Sequence, residues 1–204
     1  MSLEKSLPQS AYAGSDFFGL ERHSIFWDQW FYAGRTEGLE ETGSYRVIEV
    51  AGESAIVIRS DEGLFGHVNL CRHRGSRLLC GEGMVRGAIR CPYHAWAYAP
   101  EGELIAAPFV ERDDVPPESR RLHRVGVAEW GGFLFLHFSP ERAERDGATL
   151  LAQLGEVPER LKRYPLAELR IARSMRYDVA ANWKVLLENY NECYHCAGVH
   201  PELC

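Results

Sequence analysis

Short apolar runs separated by Gly-, Ser- and Asp-containing turns fill the chain from Ser44 to about residue 140. The runs YRVIEV, SAIVIR and GLFGHVNL come first, and MVRGAIR, LHRVGVAEW and GFLFLHF follow. They are rich in β-branched and aromatic residues, so the spacing predicts many short strands in an antiparallel sandwich or barrel. On either side the period changes. Between Phe17 and Tyr32 the positions Phe18, Ile25, Phe26, Trp30 and Phe31 lie closer to helical than to strand spacing, which predicts a helix stopping near Gly34. The stretch SPERAERDGATLLAQLGEVPERLKRYP is polar and helix-forming, and Pro140, Pro158 and Pro165 punctuate it, as expected of a boundary carrying short helices. LRIARSMRYDVA then reads as one strand. NWKVLLENYNECYHC reads as a helix, with Asn182 as its N-cap. Trp183, Leu186, Leu187, Tyr190 and Tyr194 form a stripe suited to a core, and Gly198 marks the expected stop.

Composition narrows the function classes. A formal charge of −6, from 23 basic and 29 acidic residues, argues against nucleic acid as a partner. The opening MSLEKSLPQSAYAGSDF lacks the apolar core of a secretory signal, and no later run approaches a membrane span. A cytoplasmic location with no membrane partner is the expectation. Six cysteines in such a chain read as metal ligands or free thiols before disulfides.

Two of them stand in CRHRG and CPYHAW. Cys71 and His73 are separated by one residue, Cys91 and His94 by two, and 17 residues lie between the pairs. Thiolate and imidazole in equal number suit zinc or a mixed-ligand iron–sulfur cluster. Structural zinc sites usually keep their cysteines together and their histidines together. Here each pair offers one of each, the division that a Rieske 2Fe–2S centre needs, with two thiolates on one iron and two imidazoles on the other. The pattern resembles the Rieske signature ligand for ligand, and Gly75 and Trp96 resemble its flanking residues. Ser76 and Tyr93 stand where respiratory Rieske proteins carry a loop disulfide, so the resemblance is to the lower-potential ferredoxin and oxygenase branch.

A second cluster lies in NECYHCAGVH. Glu192 and His195 are three apart and share a helical face, and a turn at Gly198 would return His200 towards His195. Two histidines and one carboxylate make the facial triad of non-haem Fe(II). A Glu-x-x-His is as often a plain surface pair.

NWKVLLENYNECYHCAGVHPEL resembles the opening of the catalytic domain of Rieske non-haem iron oxygenases, large (α) subunit, and the resemblance spans nearly the whole chain. It implies an α+β fold: an antiparallel β-sandwich Rieske domain flanked by helices, then the first strand and helix of an α+β catalytic domain that is cut short. The implied divisions are 1–39 N-terminal helical segment, 40–140 Rieske domain, 141–165 connector and 166–204 start of the catalytic domain. The family's roles fall on His195 and His200 as ligands of a mononuclear Fe(II), and on Glu192 as the bridge for electron transfer between subunits. Its third iron ligand is a carboxylate far downstream, which no residue here supplies. The resemblance further implies a flavin- or ferredoxin-type reductase drawing on NAD(P)H, a homotrimer, and mono- or dioxygenation of a small organic substrate. ECYHC leans towards members acting on quaternary ammonium compounds; an aromatic-ring hydroxylase or a Rieske-type electron carrier are the alternatives.

His23, His67, His123 and His137 are isolated in sequence and read as structural histidines. Cys80, Cys193 and Cys196 read as thiols without a ligand role. Arg72 and Arg74 could meet an acidic redox partner or simply face solvent.

Overall fold

The computed structural model describes residues 5–191 and 196–199, and divides the chain into two compact units, residues 23–170 and residues 1–22 with 171–204. In the first unit lie ten strands, β1 (Phe31–Arg35), β2 (Ser44–Val50), β3 (Glu53–Ser60), β4 (Gly63–Val68), β5 (Glu82–Met84), β6 (Ile89–Arg90), β7 (Ala97–Tyr98), β8 (Leu104–Ala106), β9 (Arg124–Trp130) and β10 (Phe133–His137). Seven of them form an antiparallel sheet in the order β1-β10-β9-β4-β3-β2-β5, and β6-β7-β8 form a second, three-stranded sheet.

Tight turns set the register. Val50 faces Glu53 across Ala51 and Gly52, with φ of 48° and 90°. Trp130 faces Phe133 across Gly131 and Gly132, with φ of 59° and 77°. Positive φ at both central residues makes a two-residue turn whose twist matches that of the flanking strands.

The unbroken apolar run of β3 follows from its central position. Ala55, Ile56, Val57 and Ile58 are all fully buried. Successive side chains point to opposite faces, so the run feeds two cores. Ile56 and Ile58 pack in the core that contains Cys71, Cys91, Trp96 and Tyr98. Ala55 and Val57 pack in the other, with Leu39, Val125, Leu134 and Leu136. The candidate ligand cysteines are thus built into one face of the sheet.

The helix expected from Phe17 to Tyr32 is shorter. An α-helix covers Ser15–Glu21, a π-helical turn follows over Arg22–Phe26, and Phe31 begins β1. Phe31 and Tyr32 pair with Leu136 and Phe135 of β10, and the energy of that ladder overrides the local helical spacing. Short helices over Pro140–Asp146, Leu150–Leu154 and Val157–Leu161 fill the boundary region as expected. Buried Arg35 ties its end to β1, donating from Nη2 to the carbonyls of Leu166 (3.0 Å) and Leu169 (2.9 Å), with its guanidinium 4.8 Å from the Phe133 ring.

In the second unit Asn182 caps the helix Trp183–Asn191, accepting at Oδ1 from the Lys184 N–H at 3.0 Å. Three expectations change here. Residues 169–180 carry no strand, because among the described residues they have no ladder partner, and Ile171, Met175, Tyr177 and Val179 are exposed. Leu186, Leu187 and Tyr190 are exposed as well, and the position the helix buries is Lys184. Gly198 lies within a one-turn helix, Cys196–Val199, rather than after a helix end.

Among the described residues no helix is long and apolar enough to cross a membrane. His67 and His137 are buried as structural groups. Nε2 of His67 lies 2.7 Å from the Pro100 carbonyl, and Nδ1 of His137 accepts from the Ser139 N–H at 3.1 Å. Burial holds both imidazoles below their ordinary pKa. The unfolded chain therefore binds more protons than the fold, so stability rises with pH. Unfolding free energy, measured by denaturant titration, should fall as the pH drops below about 6.5, the unperturbed histidine value. Leu134→Ala should cost about 2–5 kcal/mol in the same assay. Leu134 belongs to the core without the cysteines, so absorption from the metal centre should not change.

Candidate metal centre

Two loops of matching construction carry the sequence-predicted ligands. One follows β4 and the other joins β6 to β7. In the first, the Cys71 N–H donates to the Ser76 carbonyl (2.8 Å) and the Gly75 N–H to the Cys71 carbonyl (2.9 Å). In the second, Cys91 N–H donates to the Trp96 carbonyl (2.7 Å) and Ala95 N–H to the Cys91 carbonyl (3.1 Å). Each loop therefore closes on its cysteine through the residues four and five positions on. The fourth must turn left-handed, and Gly75 and Ala95 have φ of 65° and 57°. Glycine adopts this geometry freely, whereas alanine is strained there.

Buried Asn69 holds the base of the first loop. Its Oδ1 accepts from the Leu78 and Leu79 N–H groups at 3.1 and 3.0 Å. Its Nδ2 donates to the Leu79 carbonyl at 2.8 Å and to Ser54 Oγ at 3.1 Å. A buried amide with every hydrogen-bonding direction engaged locks the chain just before Cys71.

The loops present their donors as two pairs. Cys71 and Cys91 are buried, with their sulfurs near enough to interact. His73 and His94 are exposed, their ring centroids 4.7 Å apart at 69°. The Trp96 indole of the second loop stacks on His73 of the first at 4.9 Å and 10°, and Tyr93 lies 3.8 Å from His94. Among the described residues no three His, Cys, Asp or Glu side chains gather to hold one ion. Two thiols inside and two imidazoles outside suit two metal atoms, one per pair.

Electrostatics act unequally on these donors. Burial pushes the Cys71 thiol up. For Cys91 burial acts the same way, but the backbone N–H groups of His94 and Tyr93 and the contact with Cys71 outweigh it and hold the thiol below its ordinary value. Loss of water, with His94 and Arg74 nearby, keeps the His73 imidazole below its own. Metal binding requires neutral imidazole and deprotonated thiol, so the shifts at His73 and Cys91 favour it and the shift at Cys71 opposes it.

Sequence reasoning missed Asn69 and Tyr98. The buried Tyr98 hydroxyl accepts from the Arg72 N–H at 3.1 Å and is thereby aimed at Cys71 Sγ, 3.3 Å away. Burial and the neighbouring Cys71 raise its pKa well above the usual phenol, and a deprotonated Cys71 has no proton to give, so the hydroxyl is the donor to a thiolate. Nothing in hydrophobic periodicity marks either residue. Arg72 is engaged with the His123 ring and donates to the Glu118 carbonyl at 2.8 Å. His23 packs edge-on against Trp27 at 4.6 Å, and Cys80 is an exposed free thiol. Glu192, His195, His200, Cys193 and Cys204 lie outside the described residues, as does the Cys196 side chain.

Comparison with known proteins gives this arrangement a context. Residues 29–127 match the model of the Rieske [2Fe-2S] domain, and residues 166–204 match that of the ring hydroxylating alpha subunit (catalytic domain). The glycine betaine monooxygenase oxygenase subunit of Chromohalobacter salexigens is 36% identical over 98% of this chain and 44% of its own length. The carnitine monooxygenase oxygenase subunit of Acinetobacter baumannii is 32% identical over 96% of this chain and 53% of its own. A crystal structure of a quaternary ammonium Rieske monooxygenase in complex with L-carnitine superposes with a TM-score of 0.87 at 31% identity, covering 97% of this chain and 56% of that one. The chain spans about half the length of the curated relatives it matches.

Tyr98→Phe isolates the hydrogen bond to sulfur. A donor stabilises the more negative, reduced state, and hydrogen bonds to cluster sulfurs raise the potential. A differential loss of about 1.4 kcal/mol corresponds to roughly 60 mV for one electron. Redox titration of the cluster should show the variant lower by that order, with its absorption spectrum kept.

Proposed function

Because the chain belongs to the Rieske oxygenase α-subunit family, with a Rieske [2Fe-2S] domain followed by the start of the catalytic domain, we propose that it serves in the terminal oxygenase of a system acting on a small quaternary ammonium compound. The reaction is an O2-dependent hydroxylation or N-dealkylation. One observation carries this reading: two closed loops each present one cysteine and one histidine, sorted into an inner thiol pair and an outer imidazole pair.

In this reading Cys71 and Cys91 hold one iron of the cluster and His73 and His94 the other, within a domain of residues 40–140. When bound, the 2Fe–2S group stores and releases single electrons at a potential above that of all-cysteine clusters. The chain's own groups tune that behaviour. Tyr98 donates to the Cys71 sulfur, and Trp96 covers one face of His73.

Residues 141–165 form the connector, and 166–204 begin the catalytic domain. His195 and His200 bind a mononuclear Fe(II) there, and Glu192 bridges the electron path between subunits. Electrons come from a flavin- or ferredoxin-type reductase that draws on NAD(P)H, and the oxygenase works as a homotrimer in the cytoplasm. The relatives named for glycine betaine and carnitine favour a quaternary ammonium substrate over an aromatic ring.

Iron and acid-labile sulfide analysis, with an EPR spectrum of the reduced state, tests the cluster. Two irons and two sulfides per chain are expected for it, and zinc without sulfide overturns the assignment. In the full-length subunit, Glu192→Gln should leave reduction of the cluster intact and collapse product formation; unchanged turnover removes Glu192 from the electron path. Oxygen uptake stimulated by trimethylammonium compounds supports the substrate class, whereas stimulation by aromatic hydrocarbons alone contradicts it.

A further inference from the structure

Trp96 belongs to the second ligand loop but covers a side chain of the first. Its indole lies on the His73 imidazole, with ring centroids 4.9 Å apart and planes inclined by only 10°. The backbone of Trp96 is held on both sides. Its carbonyl accepts from the Cys91 N–H at 2.7 Å, and Ala97 pairs with Arg90 in the smaller sheet. The residue is 7% exposed and packs in the core that contains Cys71, Cys91 and Tyr98. Trp96 is therefore a fixed surface.

His73 is the opposite case. Its backbone N–H is directed at the Cys71 sulfur, which settles the main chain, but the ring is exposed. The torsion that sets an imidazole plane is broad and two-fold, so local geometry does not choose it. A metal-binding histidine usually takes its orientation from a hydrogen bond donated by its other ring nitrogen. Among the described residues neither ring nitrogen of His73 has such a partner. The neighbouring rings differ in what they can hold. His94, 4.7 Å from His73 at 69°, is itself exposed, and Tyr93, which lies against His94, is 63% exposed. Of these three ring contacts, only the stack of Trp96 on His73 has a buried partner.

We propose that Trp96 is the positioning residue of His73, fixing the imidazole plane by stacking in place of a hydrogen bond. The inference rests on the reading of His73 as a cluster ligand. The plane of a ligand ring decides how its π orbitals meet those of the metal. A ring free to turn would give a spread of electronic states where a clamped ring gives one.

The test compares the parent chain, purified with its cluster, with Trp96→Met, Trp96→Phe and Leu104→Ala. Methionine and phenylalanine are both apolar and both leave part of the indole volume empty, but only phenylalanine presents a flat ring. Leu104 is buried in the same core and serves as the control for core damage. Electron–nuclear double resonance of the reduced cluster reads the imidazole nitrogen couplings, EPR reads the g-values, and denaturant titration reads stability. In Trp96→Met one of the two nitrogen couplings should lose its single value and spread, with the g-features broadened. Trp96→Phe should keep a single value for each coupling. Leu104→Ala should keep both as well, although it is destabilised.

Parent-like couplings in Trp96→Met overturn the proposal, as does equal broadening in Trp96→Met and Trp96→Phe. Broadening in Leu104→Ala, or loss of the cluster from both Trp96 variants, leaves Trp96 a merely structural role and overturns it too. A parent spectrum without imidazole nitrogen couplings overturns the cluster reading itself. Because the parent is measured first, that failure is told apart from failure of the stack.

Discussion

A carbonyl oxygen on each of two cysteines, accepting from the amide four residues on, is the interaction around which this molecule is arranged. That single bond turns a loop back on itself, with the cysteine buried at its base and the histidine within it exposed. Made twice, it yields two hands of matching shape. The larger sheet supplies the apolar face on which both thiols rest, through Ile56 and Ile58 of β3. The smaller sheet supplies Ala97 and Tyr98, which hold the second loop and reach across to the first. Donor chemistry is secondary to this closure, because thiols and imidazoles in open loops would meet at no fixed point.

Much of this was legible in the sequence, for identifiable reasons. The strands Ser44–Val68 and Arg124–His137 announce themselves because their side chains must fill two cores, and the division of Cys and His between two loops reflects the pairing of the donors in space. What sequence concealed depended on partners far along the chain. Phe31 and Tyr32 look helical until β10 is placed beside them. Lys184 looks like a solvent-facing residue on a helix until Glu21 arrives from more than a hundred and sixty residues away. Tyr98 and Asn69 escaped because one hydroxyl or one amide carries no periodicity. The strand expected over residues 169–180 had a suitable alternation but, among the described residues, no neighbour to pair with, and alternation alone does not make a strand.

Among the described residues two cations are buried, and the two units treat them differently. Arg35 has backbone carbonyls and the face of Phe133, a neutral environment that suits a planar, delocalised charge. Lys184 has a carboxylate and three rings. The carbonyl arrangement joins β1 to the connector and tolerates small shifts of the chain, since carbonyls offer broad acceptance. The charged arrangement is bound to one carboxylate, so it is the more demanding of the two.

The backbone of Ala95 separates two loops that otherwise match. A left-handed alanine carries a cost of about 1–2 kcal/mol that the glycine at position 75 does not. The Cys71 loop closes without that cost, while the Cys91 loop is held closed against it by the bonds from the Cys91 and Ala95 amides. One methyl group makes two nearly matching loops unequal in what it takes to close them.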